Sequence, residues 1–373
     1  MAERPTCPRV GMKTIDVEFL DYLDDRAAVA EAKLDAIEFP LPLTSRVSWN
    51  RHLGSKQSKL VIACGANGEP VAGVGLELRW IRSAPGFFSA IVHALGEPYA
   101  NAEGAILLHE IVRFAQLHGR ILRMTVELEC RTDATREFLR NGLEALGLQR
   151  VPTRRIPERT LALDLGRPVE EILAGFPGPT RYDLRKAERL GVEVVPIVDS
   201  GYGPRMNALL ADTFARTGTS VSASDWGAII ALCRDVPHRS RLVGVFVGPE
   251  REPERLLAYG WSVHHGNRAA YHTSASTKNP DVKAPLMYPA LWELIKWSKE
   301  QGANWFDFGG VTAGTGSSQD PLGRISDFKR NFCRNEINFG EEWVYEPRGI
   351  GVAIPRNISD LVRRVRNLRR QAP

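Results

Sequence analysis

Asp307 and Lys329 bracket a run rich in glycine, serine and threonine, FDFGGVTAGTGSSQDPLGRISDFKRNF, at positions 306–332. Asp307 closes an apolar, strand-like stretch and stands before Gly309-Gly310. A carboxylate there can accept a proton from an amine. It can equally accept N–H groups of the glycine-rich loop and hold its shape. Lys329 follows Phe328, a side chain suited to anchor the segment by packing. Its ammonium can stand beside negative charge that develops on an oxygen, or it can be a solvated lysine at the start of an exposed strand. The loop lacks GxxxxGK[ST] and is not a P-loop.

Other residues offer further chemistry. Arg181, Arg185, Lys186 and Arg189 are spaced so that 181, 185 and 189 share one helical face. That face suits phosphate or pyrophosphate, or is a solvated face paired with Asp183 and Glu188. Tyr271 lies in a strand-like stretch, where it can be an ordinary cross-strand aromatic partner. If Gly266-Asn267 forms a two-residue turn, 265 pairs with 268 and 261 with 272. His265 and His272 are then roughly 13 Å apart at about 3.3 Å per residue, and His264 faces the opposite side, so these histidines cannot close around one ion. No metal is expected. No Gly-x-Ser-x-Gly elbow marks a covalent nucleophile, and Cys333 is expected to be packed.

Several elements must position these groups. Apolar periodicity predicts helices near 105–118, 135–146, 204–217, 224–234 and 284–300. In the last, Leu291, Leu294 and Ile295 extend a stripe begun by Met287 and Tyr288, with Gly302 just past the end. Strands are predicted near 60–64, 71–80, 121–128, 160–165, 192–197, 242–247, 256–264, 269–276 and 304–308. The pattern repeats. IVRFAQLHGRILRMTVE (111–127) aligns without gaps to LIKWSKEQGANWFDFGG (294–310), placing Gly119 on Gly302, and LVIAC (60–64) meets LVGVF (242–246) at nearly the same offset. Asn67-Gly68 is a type I′ hairpin signal. The order hairpin, strand, helix, strand therefore occurs twice, as a duplication would leave it. RVPTRRIPER, near 150–160, suits an exposed connection.

Composition is that of a globular chain: 373 residues, 43% apolar and 25% charged, a length that suits two domains. The five cysteines, Cys7, Cys64, Cys130, Cys233 and Cys333, have no CxxC spacing, which argues against disulfides or zinc and fits a reducing compartment. The first 30 residues include acidic side chains and no apolar run, so no signal peptide is expected. No stretch approaches the roughly 18 apolar residues of a membrane span. A cytoplasmic protein is expected. The net charge is +5, and seven arginines against one acid lie in 348–373, so the basic character belongs to the tail. Within it, 357–370 can form a short helix offering a peripheral contact to anionic lipid or RNA, or can be a frayed basic terminus.

The duplicated unit resembles the GNAT acyltransferase fold, and the tandem pair is similar to the FemABX peptidyltransferases. TRYDLRKAERLGVEVV (180–195) looks like that family's basic helix closed by glycine and a strand. ALWELIKWSKEQGANWFDFGG (290–310) looks like its core helix and Asp-Phe-Gly-Gly strand, and ISDFKRNF (325–332) like its Phe-Lys segment. RAAYHTSAS (268–276) matches its tyrosine-bearing strand, and FPLPLTSRVSWN (39–50) its opening segment. The family's coiled-coil arm has no counterpart. The resemblance implies an α/β (α+β) fold of two tandem GNAT-like domains, each a mixed, mostly antiparallel sheet flanked by helices. The expected units are 1–155, a degenerate acceptor-binding copy; 156–347, the acyltransferase copy; and 348–373, the tail.

The resemblance also implies transfer of an acyl or aminoacyl group onto an amine, on a cell-envelope precursor such as one of peptidoglycan, or on an amino sugar. Lys329 would stabilise the oxyanion and Asp307 would shape the loop or take the amine proton. Tyr271 and Phe328 would line the substrate site, and Arg181, Arg185 and Lys186 would hold an anionic small-molecule or lipid-linked acceptor. No bound cofactor is expected. The co-substrate is aminoacyl-tRNA or acyl-CoA, left undecided. TKNPDVKAP (277–285) and LGEPYANAEG (95–104) both lack the Arg/Gln-x-x-Gly-x-Gly/Ala loop of acetyl-CoA enzymes. Two alternatives stay open: an acetyl-CoA-dependent N-acetyltransferase with a divergent pyrophosphate loop, and a catalytically silent pair acting as a binding module.

Overall fold

A computed structural model describes residues 15–347 apart from Arg154, 216–222, 279–282, 317–319 and 321. The tail helix expected at 357–370 lies outside the described residues. The first half runs β1 (Asp16–Asp21), α1 (Asp25–Ala36), α2 (Val47–His52), β2 (Lys59–Cys64), β3 (Pro70–Trp80), β4 (Phe88–Leu95), α3 (Ala102–Leu117), β5 (Ile121–Glu129), α4 (Asp133–Ala145) and β6 (Gln149–Val151). The second runs β7 (Arg159–Asp164), α5 (Val169–Gly175), α6 (Gly178–Arg189), β8 (Val192–Pro196), α7 (Gly203–Ala215), α8 (Trp226–Asp235), β9 (Ser240–Val247), β10 (Ala258–His265), β11 (Arg268–Ser276), α9 (Met287–Glu300), β12 (Trp305–Gly310), α10 (Gly323–Arg330), β13 (Glu336–Asn338) and β14 (Gly340–Tyr345).

The repeat is structural. One sheet has the order β1-β2-β3-β4-β5-β14-β6 and the other β8-β9-β10-β11-β12-β7-β13. The parallel pair falls at the same place in each, β4 with β5 and β11 with β12, and every other pairing is antiparallel. Gly119 and Gly302, superposed by the sequence repeat, close α3 and α9 with φ of +66° and +84°, the left-handed turn that glycine makes without steric cost. The apolar stripes read from the sequence are the inward faces. Leu107, Leu108, Ile111 and Val112 bury α3 against the first sheet, and Leu291, Leu294 and Ile295 bury α9 against the second. Each such side chain contributes roughly 1.5–3 kcal/mol of transfer free energy.

One strand crosses between the sheets. β7 opens the second half and pairs with β12 and β13 of the second sheet. β14 lies inside the segment expected to form the second unit (156–347), yet it pairs with β5 and β6 of the first sheet. The equivalent slot is thus filled in the second sheet by that half's own first strand, and in the first sheet by a strand from the second half.

The β10–β11 turn has one feature that local sequence misplaces. His265 pairs with Arg268 as a two-residue turn demands, but Trp261 pairs with Thr273. A bulge after Trp261 leaves His272 as the extra residue, and one inserted residue shifts the register beyond it.

The crossing of β14 predicts where damage spreads. Trp343 of β14 is buried, and its indole N–H donates to Glu341 at 3.1 Å. Trp343→Ala should cost about 3–5 kcal/mol. Measured by hydrogen exchange, the loss of protection should fall on β5 and β6 of the first half rather than on β12, although the residue lies near the end of the described chain.

Candidate active site

Strand alternation sets the first functional group. Phe306 and Phe308 point into the core beneath α9, so Asp307 points to the opposite face. It is buried and fully engaged. Oδ1 accepts the Gly309 N–H at 2.8 Å and meets the Thr160 hydroxyl, while Oδ2 accepts from Arg268 at 3.4 Å. Thr160 belongs to β7, the strand beside β12, so the neighbouring strand completes this environment. Of the two roles open to Asp307 from sequence, these bonds are those of a loop-shaping carboxylate.

Lys329 stands on α10, not at the start of a strand. Its turn of helix points away from the side taken by Phe328, whose ring packs edge-on against Tyr288 and Phe332 at 5.3 and 5.6 Å. Lys329 is buried at 7% exposure; Nζ donates to the Gly310 carbonyl at 2.7 Å and lies 5.9 Å from the centre of the Tyr271 ring. Burial pulls the ammonium down to about 8, against the opposing charge of Asp307, so about nine-tenths of it remains charged at pH 7. Neighbouring side chains of α10 pin the loop in sequence. Ser326 Oγ accepts the Thr312 N–H at 3.0 Å, Asp327 accepts the Gly316 N–H at 2.6 Å, and Arg330 donates to the Gly314 carbonyl at 3.1 Å. The run that reads as soft in sequence is held, over 310–316, by the helix that follows it.

Tyr271 and Asp307 line a cavity of about 410 Å³ between the halves. It opens where both parallel pairs come apart. The β11–β12 ladder ends at Ala270 with Asp307, and the β4–β5 ladder skips from Val92 to Leu95, leaving His93 and Ala94 unpaired with Ala94 at φ +53°. Gly309 and Gly310 form part of the rim. Tyr271 is raised to about 12 by burial, partly offset by its bond to Ser274, and enters the cavity as a neutral phenol.

The first half supplies the facing wall: Glu77, Arg79, His93, Glu127 and Glu129, with Arg155 from the connection. None of these was singled out by sequence. The signal was present in RMTVELE, where period-two alternation puts Thr125, Glu127 and Glu129 on one face of an otherwise apolar strand. Arg268, equally unforeseen, is buried between the halves. It bonds Glu129 of β5 as well as Asp307, and stacks 4.9 Å from the Phe339 ring. Burial raises the Glu129 carboxyl, and Arg268 opposes that rise. The 39–50 segment clamps the second half to the first. The Leu43 N–H donates to His265 at 3.2 Å, and the Trp49 ring stacks 6.3 Å from Trp261.

The structure does not bring every expected residue together. Arg181 and Arg185 are exposed on α6 and Lys186 is half-buried there; none of the three lines this cavity. Phe328 packs into the core behind α10. Among the described residues, no group of three or more His, Cys, Asp or Glu is placed to hold a metal, and no helix is long and apolar enough to cross a membrane. In the first half, the end of α3 that would face a pyrophosphate is closed. Asn101 caps it by accepting the Gly104 N–H at 2.8 Å, and a Cβ on Gly104 would come within 2.2 Å of the Tyr99 carbonyl oxygen.

The fold has solved relatives. FemX superposes with a TM-score of 0.69 over 92% of this chain and 100% of that one, at 14% identity. A tandem GNAT protein from the clavulanic acid biosynthesis pathway gives 0.52 over 90% and 99%, at 13% identity. L-PGS from Bacillus licheniformis gives 0.50 over 93% and 99%, at 13% identity. No protein-family model matches the sequence, and no curated protein does either. At these identities the likeness is one of fold: the chain has the FemABX-like tandem GNAT fold, two seven-stranded mixed sheets flanked by helices.

Two expectations follow. Gly309 has φ +70°, and a Cβ there would lie 3.2 Å from the Tyr271 carbonyl and 3.6 Å from Lys329 Nζ. Gly309→Ala should cost about 1–2 kcal/mol in backbone strain, read as a lower denaturation midpoint. Lys329, with its folded value of about 8 below the ordinary 10.5, binds fewer protons folded than unfolded between those values. Its burial therefore makes stability rise with pH across that window. A Lys329→Met variant should lack that rise when the two proteins' unfolding free energies are subtracted at each pH.

Proposed function

We propose that the protein is an acyltransferase of the FemAB/GNAT type that transfers an acyl or aminoacyl group to an amine in the cavity between its halves. The observation that carries this reading is Lys329, an ammonium kept in a buried site beside Gly310, Tyr271 and the open end of the β11–β12 pair. Attack of the amine on an ester or thioester carbonyl forms the new C–N bond and an oxyanion. Collapse breaks the C–O or C–S bond, and the proton lost by the amine leaves with the alcohol or thiol. In this reading Lys329, behind the Gly309-Gly310 rim, offsets the charge on that oxygen, and low polarity strengthens the interaction. Asp307 holds the Gly309 N–H and favours the charged form of Lys329. Tyr271 lines the substrate cavity.

The acceptor in this reading is an amine of a cell-envelope precursor or of an amino sugar, and the donor is aminoacyl-tRNA or acyl-CoA. The closed end of α3 supports placing the donor against the second half. Within the FemABX-like fold the first half then serves the acceptor.

A screen of charged tRNA and acyl-CoA donors against amine acceptors tests the proposal. Lys329→Met should lower the transfer rate by about 10²–10³-fold without lowering the melting temperature. Wild-type activity should fall as pH rises through about 8, because the cation is lost there. Activity that survives in both Lys329→Met and Asp307→Asn would refute the assigned site. Absence of any donor response would favour the binding module.

A further inference from the structure

Arg79 and Arg155 enter the cavity from its first-half wall, and an unbroken chain of bonds holds them there. The Arg79 Nε–H donates to Glu77 at 2.6 Å, and the Arg155 Nε–H donates to Glu127. Between the two carboxylates stands His93, with Nδ1 2.7 Å from Glu127 and Nε2 2.7 Å from Glu77. Burial works against charge on this ring, but the bonds from Glu127 and Glu77 outweigh it and hold His93 at about 9. It donates from both nitrogens at neutral pH, and the bridge is closed. Glu127 is buried, and Arg155 is further fixed by its own backbone N–H, which donates to Glu342.

Counting donors and acceptors decides what such a wall can hold. Glu77 and Glu127 are occupied by His93 and the two arginines, Glu129 by Arg268, and Asp307 by Gly309, Thr160 and Arg268. Each guanidinium commits one N–H, at Nε, to the bridge. Among the described residues, the Nη atoms of Arg79 and Arg155 make no hydrogen bond, and the two side chains are 53% and 34% exposed. Each carboxylate on the cavity is therefore engaged, and two guanidinium forks are open. A fork whose Nε is already fixed loses little freedom on binding an oxyanion at its remaining N–H groups.

We propose that Arg79 and Arg155 form an oxyanion-binding wall that takes a phosphate or carboxylate group of the acceptor. This rests on reading the cavity as the transfer site. It moves the anion contact from Arg181, Arg185 and Lys186, on α6, to the first-half side of the cavity. The first half thus selects acceptors that carry negative charge near the reacting amine, while the second half carries the chemistry.

The test is titration of the full chain with inorganic pyrophosphate and, separately, with malonate, followed by calorimetry. Wild type should bind at least one of them saturably. Preference for pyrophosphate would mark a phosphorylated acceptor, and preference for malonate a carboxylate. An Arg79→Gln, Arg155→Gln double variant should bind at least tenfold more weakly. Arg79→Lys, Arg155→Lys, which keeps the charge and loses the fork, should lie between. Loss of transfer in Lys329→Met tests the proposed reaction, and loss of anion binding in the glutamine double variant tests this inference, so either can fail alone. The inference falls if wild type binds neither anion, or if the glutamine double variant binds as wild type does. It falls equally if Arg181→Gln with Arg185→Gln abolishes the binding.

Discussion

Everything at the cavity depends on β7 and β14 filling the equivalent slot of the two sheets, β14 by crossing from the second half to the first. A GNAT-like sheet left without the strand at that slot would expose the edge of its fifth strand, with a row of unpaired N–H and C=O groups. Here β7 closes the second sheet and β14 closes the first. The second sheet is closed by its own half, but the first cannot complete its hydrogen bonding without β14 from the second half. The passage from β6 to β7 brings the connection, Arg155 to Pro157, across the cavity mouth, and carries Thr160 to Asp307. Two sheets that otherwise need only touch are fixed so that both parallel openings face one space.

Charge in that space is arranged unevenly. On the first-half wall, the carboxylates of Glu77 and Glu127 are offset by the His93 they share and by Arg79 and Arg155. In the second half, behind the Gly309-Gly310 rim, Lys329 is an ammonium with one carbonyl partner and the field of Asp307 in support. Holding its charged form in the folded protein costs on the order of 3 kcal/mol, a cost that a purely structural position would avoid with an apolar residue. Strain and cost gathered at one place are expected where a site works rather than merely packs. Gly309 at positive φ and the unpaired His93-Ala94 step lie on the same cavity.

Much of the fold was legible in the sequence, because long apolar stripes and period-two runs depend on local pattern alone. The helices read near 105–118 and 284–300 are α3 and α9, and all nine strands read are present. What was missed has physical causes. β14 begins Gly-Glu-Glu, which reads as exposed, yet both acids are buried. Glu341 is satisfied by Arg140 at 2.9 Å, and Glu342 by the Arg155 N–H. α10 is short and polar, and its stability comes from bonds to the 310–316 loop rather than from its own stripe. The crossing of β14 leaves no local mark, since a strand has the same pattern whichever free edge it joins. Asp307, Lys329 and Tyr271 were picked out through motif and resemblance, and the structure brings Asp307 and Tyr271 onto one cavity with Lys329 buried beside Gly310. The first-half wall was not, because its residues meet only when β3, β4, β5 and the connection converge.

The central claim is that Lys329 is the cation of a transfer site, and its own titration tests that most directly. In protein carrying isotope-labelled lysine, the Nζ resonance absent from Lys329→Met should titrate near 8. On addition of a phosphonate analogue of the tetrahedral intermediate, its midpoint should move upward, because a bound anion favours the charged form. A midpoint at the ordinary lysine value, or one that ignores the analogue when it is bound, would contradict the account.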